Sequence, residues 1–401
     1  MAAAPATNMR ISDLTVYVAQ LPLKRAIKHA SHSRHESENL FVKCRLADGT
    51  EGWGEGVPRE YVTGETPNGA IEQLRATPLA EQLDRPCRSW REVFDLCERF
   101  QPTVEGEDPR GCRSNALRCA VELSILDAFG KLFGEPLSQA TRAFGPAREI
   151  QASNDRVQYS AAIMSEGSRG ERISALKMRI YGFSQCKVKV GIAGADDDER
   201  LRRIRWWLGG RFDIRVDANE AWDIRQACQT IESLQKHRIS CVEQPLPHTA
   251  VEGHAEIRRK IDCPIMLDES LTSLFDAEMA IRDGTCDLFN IRLSKCGGYL
   301  NSLRLAALAH QNKLGYQLGC HPGESGILSA AGRHWAGSVR NIRYLEGSYD
   351  RHLLSELPTH EDITFQYGGW ARSLGEPGLG VTVNPSVLKR MTRCEETFRL
   401  D

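Results

Sequence analysis

Cys186-Lys187-Val188-Lys189-Val190 is the first of five short apolar runs that each close on a charged residue. The others are Ile214-Arg215-Val216-Asp217-Ala218-Asn219, Cys241-Val242-Glu243-Gln244-Pro245, Ile265-Met266-Leu267-Asp268-Glu269-Ser270 and Asn290-Ile291-Arg292-Leu293-Ser294-Lys295. Their closing charges, Lys189, Asp217, Glu243, Asp268 and Lys295, stand 25 to 28 residues apart. That interval holds one strand, one helix and two loops, the repeating unit of a parallel α/β fold. A charge at each strand end reads as the carboxyl-terminal rim of a barrel, where catalytic groups sit.

Outward from this stretch the same unit continues. Val157–Ile163 precedes it as a first barrel strand, while Gly315–Cys320 and Ile342–Leu345 follow as the seventh and eighth. Helical spacing fits between them, for instance at Glu199–Leu208, Arg225–Lys236 and Leu300–Asn312. Before the barrel, Leu14–Val18 and Leu40–Leu46 alternate as strands, and Asp48-Gly49 is a hairpin turn into Thr50–Trp53. A polar loop is expected at Lys28–Arg34 and another from Gly54 to Thr66. Residues up to Phe133 then turn helical and stop at Gly134-Glu135-Pro136. The reading is therefore α/β: a modified TIM barrel with an α+β capping domain. The cap spans 1–140, the barrel 141–360, and a segment 361–401 returns to the cap.

Composition narrows the classes of function. Hydrophobic residues make up 41% and charged residues 26% of the 401, as in ordinary globular proteins. A formal net charge of −1, with both signs interspersed, gives no electrostatic reason to bind nucleic acid or an anionic membrane. The 13 cysteines are scattered without Cys-x-x-Cys spacing, which reads as reduced thiols of a cytoplasmic protein rather than a disulfide framework. Met1–Met9 lacks the apolar core of a signal peptide and predicts no ordered element.

Asp217, Glu243 and Asp268 end three adjacent strands, so their carboxylates are expected on one side of the mouth. Three hard oxygen donors suit Mg²⁺, which fills its remaining positions with water or substrate oxygen. Lys189 and Lys295 come from strands four apart in a ring of eight and so face each other across the mouth. Lys187 shares the inward face with Lys189, two residues away. A neighbouring ammonium and a dication would favour the neutral amine at Lys189. Two opposed amines beside a dication suit removal of the weakly acidic proton α to a carboxylate. With a base on each face the centre is inverted; with one working base the outcome is β-elimination or cycloisomerisation.

These motifs resemble the enolase superfamily, in its muconate-lactonizing-enzyme subgroup. The likeness rests on Lys187-Val188-Lys189, Val216-Asp217-Ala218-Asn219, Val242-Glu243-Gln244-Pro245, Leu267-Asp268-Glu269-Ser270 and Lys295-Cys296-Gly297-Gly298, and covers nearly the whole chain. It implies a (β/α)₇β barrel, Lys189 and Lys295 as acid/bases, supporting roles for Lys187 and Asn219, and Asp217, Glu243 and Asp268 as Mg²⁺ ligands. Val62-Thr63-Gly64-Glu65-Thr66 is similar to the cap loop of dipeptide epimerases, which places Thr63 near the substrate. Such epimerases carry an Asp-x-Asp pair at the eighth strand, where this chain has Glu346. Glu324-Ser325-Gly326-Ile327 resembles the strand-seven loop of o-succinylbenzoate synthases and N-succinylamino-acid racemases, whereas His321 reads as a loop residue. Arg34, Thr63, Glu324 and Glu346 are thus the candidate substrate contacts. A small-molecule carboxylate is the expected partner, and a homo-oligomer the expected assembly. Epimerisation of a dipeptide or N-acylated amino acid, muconate-type cycloisomerisation and dehydration of the o-succinylbenzoate type all remain open.

Overall fold

The computed structural model describes residues 9–28, 33–164 and 167–400. The chain opens with antiparallel strands β1 (Ile11–Lys28), β2 (Ser33–Leu46) and β3 (Glu51–Gly56). Pairing of β1 with β2 runs from Ile11↔Leu46 to Lys28↔Ser33, so Lys28, Ser33 and Arg34 of the predicted polar loop are strand. Residues 29–32 of that loop lie outside the described residues, as does the chain start through residue 8. The Asp48-Gly49 turn forms as expected: Thr50 N donates to Asp48 Oδ1 at 2.9 Å and Gly49 takes φ of 89°.

β3 continues through Gly54 and Gly56, beyond the Trp53 where alternation stops. Its glycines face the helix Asn115–Phe133, and a Cβ on Gly52, Gly54 or Gly56 would run into backbone atoms of Ala128, Ala120 or Ala116. Missing side chains let the helix lie directly on the strand. That helix is buried nearly all round from Asn115 to Gly130, which explains its lack of a polar face.

Beyond β4 (Arg156–Gln158) come the barrel strands β5 (Ala161–Ile163), β6 (Gln185–Lys189), β7 (Asp213–Asp217), β8 (Ile239–Glu243), β9 (Ile265–Leu267), β10 (Leu288–Ile291), β11 (Gly315–Leu318) and β12 (Ile342–Leu345). They form one parallel sheet in sequence order, with a helix joining each successive pair. This is the (β/α)₇β arrangement. Ser160 N donates to Leu345 O at 2.7 Å, bringing β12 back beside the start of β5.

The expected first strand, Val157–Ile163, is broken in two. Only Ala161–Ile163 enters the barrel, whereas Arg156–Gln158 pairs antiparallel with β13 (Trp370–Arg372). Ser160 marks the break, its N–H committed to Leu345 and its hydroxyl to Arg215. The last strand, β14 (Thr392–Arg399), lies antiparallel on β1 from Asp13↔Arg399 to Ala19↔Thr392 and completes the sheet β14-β1-β2-β3.

Buried polar contacts fix this sheet and its helix over the barrel rim. Glu55 of β3 accepts from Asn39 Nδ2 (2.6 Å), Ser325 N (2.9 Å), Ser325 Oγ (2.7 Å) and Leu328 N (3.1 Å). It thereby caps the helix Gly326–Ser338 that follows β11. Asn115 Nδ2 donates to both Thr272 O and Lys295 O at 2.7 Å, and Val57 N to Ser294 Oγ at 2.8 Å. Among the described residues no helix is long and apolar enough to cross a membrane.

Candidate active site

Lys189, Asp217 and Glu243 are the final residues of β6, β7 and β8, and the parallel register sets Lys189 beside Asp217 and Asp217 beside Glu243. Asp268 follows β9 directly, while Lys295 lies four residues past the end of β10. Lys295 folds back into the mouth: its Nζ donates to Asp268 O (2.6 Å), Asp268 Oδ1 (2.7 Å) and Asn290 O (2.9 Å), and its side chain is fully buried. The chain leaves β7 and β8 through the left-handed region, with φ of 44° at Asn219, 66° at Glu220 and 38° at Gln244. Such backbone strain persists only where the surroundings over-determine it, and it clusters at functional loops. Gln244 Oε1 accepts from Asp268 N (2.8 Å) and Ser270 N (3.2 Å), so the turn after β8 orients the acid of the next strand.

Five acids and five cations interlock here. Lys189 donates to Asp217 Oδ2 at 2.7 Å and to Asn219 Oδ1. Lys187 Nζ lies 3.3 Å from Asp217 Oδ2, 3.3 Å from Glu243 Oε1 and 2.9 Å from Glu346 Oε1. Arg292 bonds Asp268 and approaches Glu243 Oε1 at 3.9 Å, and Arg215 bonds Glu346. Asn219 Nδ2 reaches the fifth acid, Glu269, at 3.2 Å.

Burial and neighbours decide the protonation states. Burial opposes charge on Lys187, yet Glu243, Glu346 and Asp217 overcome it and raise its pKa, so this amine stays an ammonium. Burial also works against the Asp217 anion, but Lys189 and Lys187 hold its pKa far below the usual carboxylate range. Glu346 follows the same pattern: Lys187, Arg215 and Arg292 outweigh burial and bring it down to about 2. Burial pulls Lys295 down to about 8 and lifts Glu269 to about 7. Asp217 and Glu220 lift Glu269 further, while Lys189 and Lys295 both oppose that rise, so Glu269 lies within the field of both amines.

The donor set suits Mg²⁺: carboxylates from three neighbouring strands, one of whose oxygens, Glu243 Oε2, is buried without a hydrogen-bond partner. Cations that the sequence reading did not set between these acids share the mouth with them. Among the described residues no three His, Cys, Asp or Glu side chains are gathered to hold an ion. Lys187 stands between Asp217 and Glu243, and Arg292 between Glu243 and Asp268. Buried acids this close need counter-charge, and the nearest amine and guanidinium supply it.

Of the other expected contacts, Glu324 and Glu346 line one small cavity with Tyr159, Leu293 and Ser348. Glu324 Oε1 accepts from His321 N at 2.6 Å, and burial pushes the carboxyl up to about 8. Thr63 is buried in the cap, with its hydroxyl 3.4 Å from Arg59 O. Arg34 lies in β2 opposite Ile27, and its side chain lies outside the described residues. Arg292, Glu269, Arg215 and Asn290 (whose Nδ2 donates to Glu243 Oε1 at 2.8 Å) were given no role from sequence. Their signal was present, since each sits on the inward alternation of a strand already singled out or directly beside a predicted ligand.

Residues 171–387 match the family model described as enolase C-terminal domain-like. The chain is 30% identical over 377 residues to an L-Lys-D/L-Arg epimerase of Methylococcus capsulatus, covering 93% of this chain and 99% of that one. It is 28% identical over 394 residues to muconate cycloisomerase 1 of Rhodococcus opacus, covering 96% and 100%. The solved structure of N-succinyl Arg/Lys racemase from Bacillus cereus matches at a TM-score of 0.84 and 26% identity, over 98% of this chain and all of that one.

Proposed function

Since the chain belongs to the enolase superfamily and is one of its isomerases, we propose that it epimerises or racemises a dipeptide or N-acylated amino acid with Mg²⁺ as cofactor. The observation that carries this reading is the placement of Lys189 and Lys295, four strands apart, each anchored on a different acid and both acting on Glu269. Asp217, Glu243 and Asp268 are the residues that would hold Mg²⁺, which when bound supplies positive charge to the substrate carboxylate as the α-proton leaves.

One amine takes the proton from the α-carbon, and the electron pair passes into the carboxylate as an enediolate. The opposed ammonium returns a proton to the other face, and the configuration is inverted. Asp217 and Asn219 orient Lys189, while Asp268 and Asn290 orient Lys295. Lys187, kept protonated, balances the buried acids and is not itself a base.

Glu346 favours an N-acylated substrate over one with a free α-ammonium. Its carboxylate is already engaged by Lys187 and Arg215, which leaves little charge for a substrate cation. The test incubates N-succinyl-L-arginine, N-succinyl-L-lysine, L-lysyl-L-arginine and muconate in D₂O with Mg²⁺. Deuterium entering the α-position together with the opposite stereoisomer is expected. Turnover of muconate alone, followed by ultraviolet absorbance, would replace this reading with cycloisomerisation, which the same lysines could serve and which the Rhodococcus relative's name suggests.

A further inference from the structure

A second cavity, of about 610 Å³, lies at the opposite end of the barrel from the catalytic rim. It is bounded by residues 152–156 ahead of the barrel, residues 372–375 after β13, and the last turn of the helix Gly326–Ser338. That helix starts at the rim, where Glu55 caps it, and runs for 13 residues. A rise of about 1.5 Å per residue puts roughly 20 Å between its two ends. A cavity of this size suits a small metabolite.

Its lining is cationic. Arg142, Arg156, Arg333 and Arg372 face a single acid, Asp155. Arg333 is committed inward, to Ser348 Oγ at 2.7 Å and to Ile363 O. Arg142, Arg156 and Arg372 are exposed, and among the described residues none of them makes an ion pair. Arg142 donates to Ser153 Oγ at 3.0 Å, and Arg156 lies 4.2 Å over the Trp370 ring.

Two details point to a ligand. Arg156 and Arg372 are directly opposite across the β4–β13 ladder, where side chains share a face and like charges repel. The helix end cannot neutralise them, because Gly337 O and Ser338 O accept from Asn154 N and Ala152 N. The same lining includes His334, 1% exposed, with Nε2 3.1 Å from Leu379 O. A carbonyl only accepts, so Nε2 carries the proton and Nδ1 is a lone-pair acceptor. Nδ1 is buried without a partner, and burial holds the ring neutral by lowering its pKa to about 4.

Guanidinium groups and a buried acceptor in one lining fit an oxyanion that still carries an O–H. We propose that this cavity binds a phosphate group, either free or carried on a small metabolite, with Arg156 and Arg372 pairing its oxygens and His334 accepting its hydroxyl. Sulfate has the same shape but no proton to donate at neutral pH, so it is the discriminating control.

The test is calorimetric titration of the full chain at pH 6, where a phosphate monoester still keeps its second proton on about half of the molecules, with inorganic phosphate, phenyl phosphate and sulfate at fixed ionic strength. Saturable binding of a phosphate at least about tenfold tighter than sulfate is expected, together with a tryptophan fluorescence change that is lost in Trp370→Phe. Equal affinity for the two phosphates identifies the free ion as the ligand; binding of phenyl phosphate alone identifies a carried group. Arg156→Gln/Arg372→Gln should weaken binding at least about tenfold while melting no lower than the parent, because a like-charge pair is removed. If that variant does not fold, Arg142→Gln reads the same loss. Phosphate binding that is unchanged in the variants, no better than sulfate, or absent up to about 10 mM overturns the proposal.

Discussion

Lys187 Nζ stands at the same 3.3 Å from Asp217 Oδ2 and from Glu243 Oε1, so one ammonium bridges the acids that end β7 and β8. Lys187→Met would leave two fully buried carboxylates short of a shared partner, an uncompensated charge of the kind that costs about 3–5 kcal/mol. A lower urea midpoint at unchanged slope is the expected reading. Added Mg²⁺ should return part of that loss, and a midpoint indifferent to Mg²⁺ would count against Asp217 and Glu243 as its ligands.

Lys189→Ala and Lys295→Ala should each lower the rate of stereochemical inversion by about 10²–10⁴-fold, the usual range for a positioned acid or base. Because the amines serve opposite faces, each variant should still exchange the α-proton of one stereoisomer with D₂O. Proton NMR of both isomers checks this, and near-normal inversion in either variant would remove that lysine from the chemistry.

Removing metal by chelation should abolish turnover, and Mg²⁺ should restore it. Asp268→Asn should respond poorly to added Mg²⁺, since one proposed donor loses its charge and Lys295 loses its ionic partner. Its rate measured against Mg²⁺ concentration, compared with the parent, is the check.

The barrel was legible because its signal is periodic: five short apolar runs each close on a charge at a near-constant interval, and Ile342–Leu345 forms just as read. Less was legible where a long-range partner decides the outcome. Gly54 and Gly56 read as loop because their role, admitting a helix backbone, depends on residues Ala116 and Ala120. Val157–Ile163 read as one strand because only the distant Trp370–Arg372 segment reveals that its first half pairs elsewhere. At the site, the acids and lysines were visible as types at a spacing. Arg215 and Arg292 lay on the same inward alternation, but their neutralising role was not visible, because which charges share a buried mouth is a property of closure rather than of any one run.

Gly54→Ala should cost about 3 kcal/mol or more, above the usual overpacking range of about 1–3 kcal/mol, because the clash is with helix backbone that cannot step aside. Denaturant unfolding measures it; the same change at Gly49, where a Cβ meets nothing, tests instead the strain of φ at 89°.

Glu65 caps the helix Asn115–Phe133 through Ala116 N at 2.8 Å, and burial lifts its pKa from 4.5 to about 8. The folded chain thus holds a proton that the unfolded chain releases near 4.5. Stability from this group is complete below pH 4.5 and is lost as pH rises toward 8, by up to about 1.4 kcal/mol per pH unit. Urea midpoints across that window should fall, and Glu65→Gln should flatten the slope.

The pairing of β14 with β1 has a consequence for how the molecule is made. Thr15 and Thr397, whose hydroxyls meet at 3.1 Å, are separated by 382 residues. A ribosome adding about 5–20 residues per second finishes that span in roughly 20–80 s. Throughout that time β1 has one edge without its final neighbour, a template for stray pairing with other nascent chains. The completed barrel therefore emerges before the sheet above it can close, and the moment at which Thr392–Arg399 is made decides whether that edge is sealed or becomes a point of aggregation.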